Sequence, residues 1–164
     1  MAGDGRMERT LGEEMALLFG SGGSPPMAGR VWAGLLVAAE PYLSAAELAE
    51  KLEVSAGSIS MATRFLIRLG LIERIRLPGE RRDHFAARPG AIADLVRWRL
   101  ERLSATEGVA ARALTEFGDR PLARERLTEI HDVYAWYARE LPALHERFLA
   151  EFALGRPQSR GSPA

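Results

Sequence analysis

Cysteine is absent from the chain. That excludes a disulfide scaffold, a thiolate zinc site and a cysteine nucleophile, and it suits a reducing cytoplasm. A membrane-spanning run is missing too. The best apolar stretch, VWAGLLVAA at 31–39, is about half of the ~20 residues that a spanning helix needs. Asp4, Arg6, Glu8 and Arg9 come before any apolar stretch, and no signal-peptide core follows them. A cytoplasmic protein with no membrane partner is the expectation.

Catalytic signatures are also lacking. GSGGSPP at 20–26 is rich in glycine, but Gly-Lys-Ser/Thr does not follow and no strong strand precedes it, so it is a linker and not a phosphate loop. The chain has no GxSxG and no dinucleotide fingerprint. Its three histidines are His84, His131 and His145. The last two do not have the HExxH spacing that sets two zinc ligands one turn apart. His131-Asp132 beside Tyr134 has the composition of an acid–base group, yet exposed helical residues explain it as well. The expectation is a protein that is not an enzyme, with no cofactor and no metal.

Net charge is the last absence: 22 basic residues meet 22 acidic ones. The distribution is uneven. Residues 55–88 hold seven arginines against Glu73, Glu80 and Asp83, a net of +4, and the remainder holds 15 basic and 19 acidic residues, a net of −4. A basic patch on an acidic body is an electrostatic footprint for nucleic acid. A merely solvated surface gives the same asymmetry, so sequence context has to decide.

What is present fits a globular chain of 164 residues, 47% apolar and 27% charged. Residues 7–19 read as a short amphipathic helix with Leu11, Met15, Leu18 and Phe19 on one face. After the linker, 27–39 form an apolar helix with Val31, Trp32, Leu35 and Leu36, which Pro41 stops. Ser44-Ala45-Ala46-Glu47 matches a capping box. The helix it starts buries Ala46, Leu48, Ala49 and Leu52. A short turn at Glu53-Val54 leads to Ser55, an N-cap for the next helix.

That helix, SAGSISMATRFLIRL, places Ile59, Ala62, Leu66 and Leu69 on a buried face, with Phe65 beside it. Its other face carries Gly57, Ser58, Ser60, Met61, Arg64 and Arg68. Gly70 supplies the positive φ of a helix end, and a hairpin spans 71–87, with PGERRDHF at its tip. A long helix follows Pro89-Gly90 until Gly118-Asp119-Arg120-Pro121 breaks it. The last segment repeats Leu127, Ile130, Tyr134, Tyr137, Leu141, Leu144 and Phe148 in heptad-like steps. Pro142 should kink or restart it.

Helix, helix, short turn, helix and hairpin is the order of a winged helix-turn-helix. The expected fold class is therefore mainly α, a winged helix-turn-helix with a two-stranded β-hairpin wing and helical N- and C-terminal dimerisation extensions. In such a unit the third helix lies in the DNA major groove. Ser55, Ala56, Gly57, Ser58 and Ser60 are small enough for close approach, and Arg64 is long enough for a guanine edge or a phosphate. Met61 and Arg68 share that face. At the wing, Arg82 is expected in the minor groove, Glu80 is expected to orient it, and Arg81 to meet phosphate. A charge cluster that only protects an edge strand is the alternative for the tip alone.

The run AGRVWAGLLVAAEPYLSAAELAEKLEVSAGSISMATRFLIRLGLIERI, with GERRDHF beyond it, resembles the GbsR-type branch of the MarR transcriptional regulators. The likeness covers about residues 27–90, and ARELPALHERF at 138–148 is similar as well. The VS-x-GS-x-SM run and the GERRD tip carry it. The resemblance implies a homodimer whose first and last helices build the interface, with Glu80-Arg81-Arg82 as the acidic-x-Arg wing motif. Ala87-Arg88-Pro89 departs from the pattern, since many relatives place a threonine cap there.

The domain reading is 1–26 as N-terminal helix and linker for dimerisation, 27–90 as the DNA-binding domain, 91–154 as long helices for dimerisation with a possible effector region, and 155–164 as a disordered tail. The expected partners are an inverted-repeat DNA operator, a second copy of the chain and a small-molecule effector, and the expected role is that of a repressor. Some GbsR-type relatives respond to choline. Trp98, Tyr134, Trp136 and Tyr137 are the candidate aromatic cage for such a cation, although aromatics at heptad spacing also serve as core or interface. The rival to DNA binding is a winged-helix docking module that contacts only protein.

Overall fold

The computed structural model describes residues 2–80 and 82–152. Arg81 and the tail 155–164 lie outside the described residues. The chain divides into two compact units, Met1–Ala91 and Ile92–Ala164.

The first unit begins with helix α1 (Ala2–Ser21), which packs on α2 (Pro26–Leu36). Gly29 makes that crossing possible: a Cβ there would collide with the Met15 carbonyl. Phe19 and Trp32 pack with ring centroids 5.8 Å apart, and Arg30 pairs with Glu13 at 2.8 Å. Among the described side chains of α1, the buried strip is small, formed by Gly12 and Ala16. Leu18, expected on this face, instead points to solvent, because a close crossing selects small residues over long ones. α2 ends at Leu36, three residues before the expected boundary, and Leu36 is exposed.

Strand β1 (Leu43–Ser44) runs into helix α3 (Ala45–Lys51). The capping box forms as the sequence predicts: the Glu47 amide donates to the Ser44 hydroxyl at 3.2 Å, and the Ser44 amide donates to the Glu47 carboxylate at 2.7 Å. Leu48 is fully buried and Ala49 and Leu52 half-buried, but Ala46 is exposed. It stands one position off the buried stripe of so short a helix.

α3 ends in a Schellman turn. The Glu53 amide bonds the Glu50 carbonyl and the Val54 amide bonds the Ala49 carbonyl. Glu53 takes φ +54 there, a left-handed conformation that usually falls to glycine. This turn fixes the angle at which α4 (Ala56–Arg68) leaves. α4 closes with the same motif around Gly70 at φ +69, the Gly70 and Leu71 amides bonding the Ile67 and Leu66 carbonyls.

Strands β2 (Ile72–Ile75) and β3 (His84–Ala87) form the wing. β3 is the middle strand of a three-stranded antiparallel sheet in the order β1-β3-β2, with Leu43 opposite Phe85 and Ser44 opposite His84. The two-residue β1 is an addition to the expected two-stranded wing. It clamps the wing root to the helices. Val31, Leu48, Ile59, Leu66 and Leu71 are the largest fully buried side chains, so α2, α3, α4 and the sheet share one core. Arg88 completes this part: its amide bonds the Leu71 carbonyl, and its Nε donates to the Gly70 carbonyl at 2.6 Å.

The second unit is built from α5 (Ala91–Phe117) and α6 (Pro121–Phe152). Pro121 opens α6, a position that loses nothing by lacking an N–H. His131 Nε2 lies 3.4 Å from Glu107 and ties the two helices together, while its Nδ1 lies 3.0 Å from Asp132. Of the kink or restart expected at Pro142, the structure corrects the restart: α6 continues as one helix through it. Pro142 is exposed, so the carbonyl left without its N–H partner can bond water instead.

Candidate nucleic-acid interface

The amphipathic character of α4 decides which residues it offers. Ile59, Ala62, Thr63 and Leu66 turn into the core. Ser55, Ala56, Gly57, Ser60, Met61, Arg64 and Arg68 are exposed, and Ser58 is half-buried. Each residue proposed from the sequence for this helix therefore lies on the outward face or at its edge. The Ser55 side chain caps the helix by accepting from the Ser58 amide at 3.2 Å, and the two hydroxyls lie 2.9 Å apart. Arg64 Nε donates to the Ser60 carbonyl at 3.1 Å. That bond holds the guanidinium along the helix and leaves its terminal nitrogens available. Arg68 lies 5.8 Å from the Phe65 ring centroid.

The wing tip is shaped by Pro78-Gly79. The Glu80 amide bonds the Leu77 carbonyl at 3.1 Å and Gly79 takes φ +82, the geometry of a type II turn with proline first and glycine second. Arg74 and Asp83 pair at 3.3 Å across the base of the loop. Glu80 does not orient Arg82, contrary to the expectation. Its carboxylate lies 3.4 Å from His84 Nε2. His84 is buried at the wing root, edge-on to the Tyr42 ring at 5.3 Å. Sequence reasoning missed this anchor, because four-residue spacing implies contact in a helix and not in a loop. Arg82 is exposed, and among the described residues no carboxylate lies within ion-pair distance of it.

One carboxyl near this surface is tuned. Hydrogen bonding from Ser44, its hydroxyl first and its amide second, holds the Glu47 carboxyl below the usual carboxylate range; burial opposes this, and His84 and Arg82 add attraction. Glu47 thus stays ionised as the cap of α3 while Arg82 reaches outward.

The proposed aromatic cage does not close within one chain. The Arg102 guanidinium stacks on Trp98 at 5.0 Å, so the protein's own cation occupies that ring face. Trp136 and Tyr137 form an edge-to-face pair at 5.0 Å, and among the described residues neither they nor Tyr134 make a ring contact with Trp98. Among the described residues, no group of three or more metal-ligating side chains occurs, and no helix is long and apolar enough to cross a membrane.

A small-residue helix facing outward beside a cationic hairpin defines a winged helix-turn-helix protein of the DNA-binding class. The comparisons make this particular. Residues 34–83 match the MarR family, and residues 90–151 match the family described as MmpR5-like MarR family transcriptional regulator. The HTH-type transcriptional regulator MmpR5 of Mycobacterium tuberculosis (strain ATCC 25618 / H37Rv) is 38% identical over 125 residues, 76% of each chain. A crystal structure described as that of a transcriptional regulator superposes with a TM-score of 0.72 at 33% identity, covering 87% of this chain and 98% of the other. The chain belongs to the MarR family of transcriptional regulators. It is a DNA-binding regulator and not an enzyme.

Proposed function

We propose that the chain acts as a homodimer, that it sets the outward face of α4 in the major groove and the wing in the adjacent minor groove, and that it represses transcription from an inverted-repeat operator. The observation that carries this reading is the joint exposure of Ser55, Gly57, Ser60, Arg64 and Arg82 on elements tied together by β1 and β3. Phosphate contacts by Arg68 and Arg81 would position the unit without reading sequence. DNA as partner supports a place at the nucleoid in the cytoplasm as part of the same proposal.

The dimer is supported by α6. Of its heptad-like seam, Leu127, Tyr134 and Leu141 are half-buried, whereas Ile130, Tyr137, Leu144 and Phe148 are exposed. Ile130, Tyr137 and Leu144 are seven residues apart, so they form an apolar strip roughly 21 Å long. A second copy of the chain is the occupant that a heptad strip fits. The tip residues Gly79 to Asp83 and the VS-x-GS-x-SM run also support a place near the GbsR-type branch, while residues 90–151 align with MmpR5-like members.

A mobility-shift titration on the promoter of its own gene tests the reading. The expected result is a sequence-selective shift that weakens steeply between about 50 and 200 mM salt, as phosphate neutralisation requires. A protein-docking module would give no such shift.

A further inference from the structure

The outward face of α4 carries small or charged residues except at one position. Met61 is 66% exposed and is the only large apolar side chain so exposed within Ala56–Arg68. Helix propensity does not require it, because lysine, glutamine or arginine would serve an exposed helical position equally well in water. The space around it is open. Gly57 lies one turn earlier, and a Cβ there would meet only the Ser55 hydroxyl, at 3.8 Å. Helical side chains lean toward the N-terminus, so Met61 extends over that gap.

Its polar neighbours are partly committed to one another. The Ser55 and Ser58 hydroxyls bond each other, and Arg64 has given its Nε to the Ser60 carbonyl. Fewer hydrogen-bonding groups are then free to read base edges, while one mobile, unbranched apolar group stands uncovered at the centre of the face. In the major groove the one feature recognised by apolar contact is the C5-methyl group of thymine.

We propose that Met61 packs on a thymine methyl in each operator half-site and so sets part of the sequence preference. The inference rests on the placement of α4 in the major groove proposed above.

The test uses the full chain and a duplex that it selects from a randomised library. Each half-site thymine is replaced singly by deoxyuridine, which removes the methyl group and leaves the pairing edge intact. At one thymine per half-site the wild type should bind about fourfold more weakly, the effect of losing one buried methyl-sized group. Met61→Ala should bind the two duplexes alike, and Met61→Leu should restore the difference. Met61 faces solvent in the free chain, so both variants should keep the wild-type circular dichroism spectrum.

The proposal is overturned if deoxyuridine is tolerated at every position, if the penalty persists in Met61→Ala, or if the selected half-site contains no thymine. Selective binding without a methyl effect removes the role of Met61 and leaves the placement of α4 standing. Failure to select any sequence removes both.

Discussion

Arg64 and Arg82 differ in what already holds them. Arg64 is bonded through Nε to the Ser60 carbonyl, so its guanidinium is oriented before DNA arrives. An oriented guanidinium loses less freedom when it forms a forked contact with a guanine. Arg64→Ala should therefore cost ~1–3 kcal/mol of binding and relax selectivity, read by fluorescence anisotropy across operator variants. An equal loss on every sequence would assign Arg64 to the phosphates. Local spacing made much of this scale legible in advance: Ser44 with Glu47, Ser55 as a cap and Gly70 at a helix end all follow from short-range backbone geometry. Glu80 with His84 did not, because the contact depends on how a loop folds back over the wing root. The exposure of Ala46 and Leu18 was hidden for a related reason, since helical phase alone does not say how closely a neighbour packs.

Among the elements, the pair β1–α3 holds the wing and α4 to one frame. Ser44 serves twice, as the strand residue opposite His84 and as the cap of α3. The capping box was readable because its pattern is four residues long. β1 was not, since two residues cannot show a period of two, and its partner lies some forty residues further along the chain. The cap also gives α3 a pH dependence. The folded-state pKa of Glu47 is lowered, so its contribution is present above the unfolded glutamate value of about 4. That contribution is lost as the pH falls through the folded value. Ser44→Ala should cost ~1 kcal/mol of stability near neutral pH, and the gap to wild type should narrow in melts taken toward pH 3. A gap that stays constant would mean that the serine acts by packing alone.

For the whole molecule, the outward strip of Ile130, Tyr137 and Leu144 on α6 is an apolar feature at heptad spacing that a single chain leaves uncovered. Sedimentation of the 18.0 kDa chain should report twice that mass at micromolar concentration. Leu144→Glu should shift the equilibrium toward monomer and weaken operator binding with it, since half the phosphate contacts are lost. Unchanged mass in the variant would place the dimer contact elsewhere. Order and spacing of elements showed the winged architecture in the sequence, because several boundaries carry a cap, glycine or proline, such as Ser44, Ser55, Gly70 and Pro89-Gly90. The uninterrupted course of α6 through Pro142 did not show, because an exposed helix can hand the orphaned carbonyl to water.

Hydroxyl-radical footprinting of the selected duplex, with wild type and with Arg82→Ala, bears most directly on the two-groove arrangement. The wild type should protect sugars in the minor groove flanking each half-site, where a narrow groove draws in an arginine. Arg82→Ala should lose that flanking protection, keep the protection over the half-site itself, and retain wild-type secondary structure. Flanking protection that survives the substitution, or that is absent from the wild type, would contradict a wing seated in the minor groove.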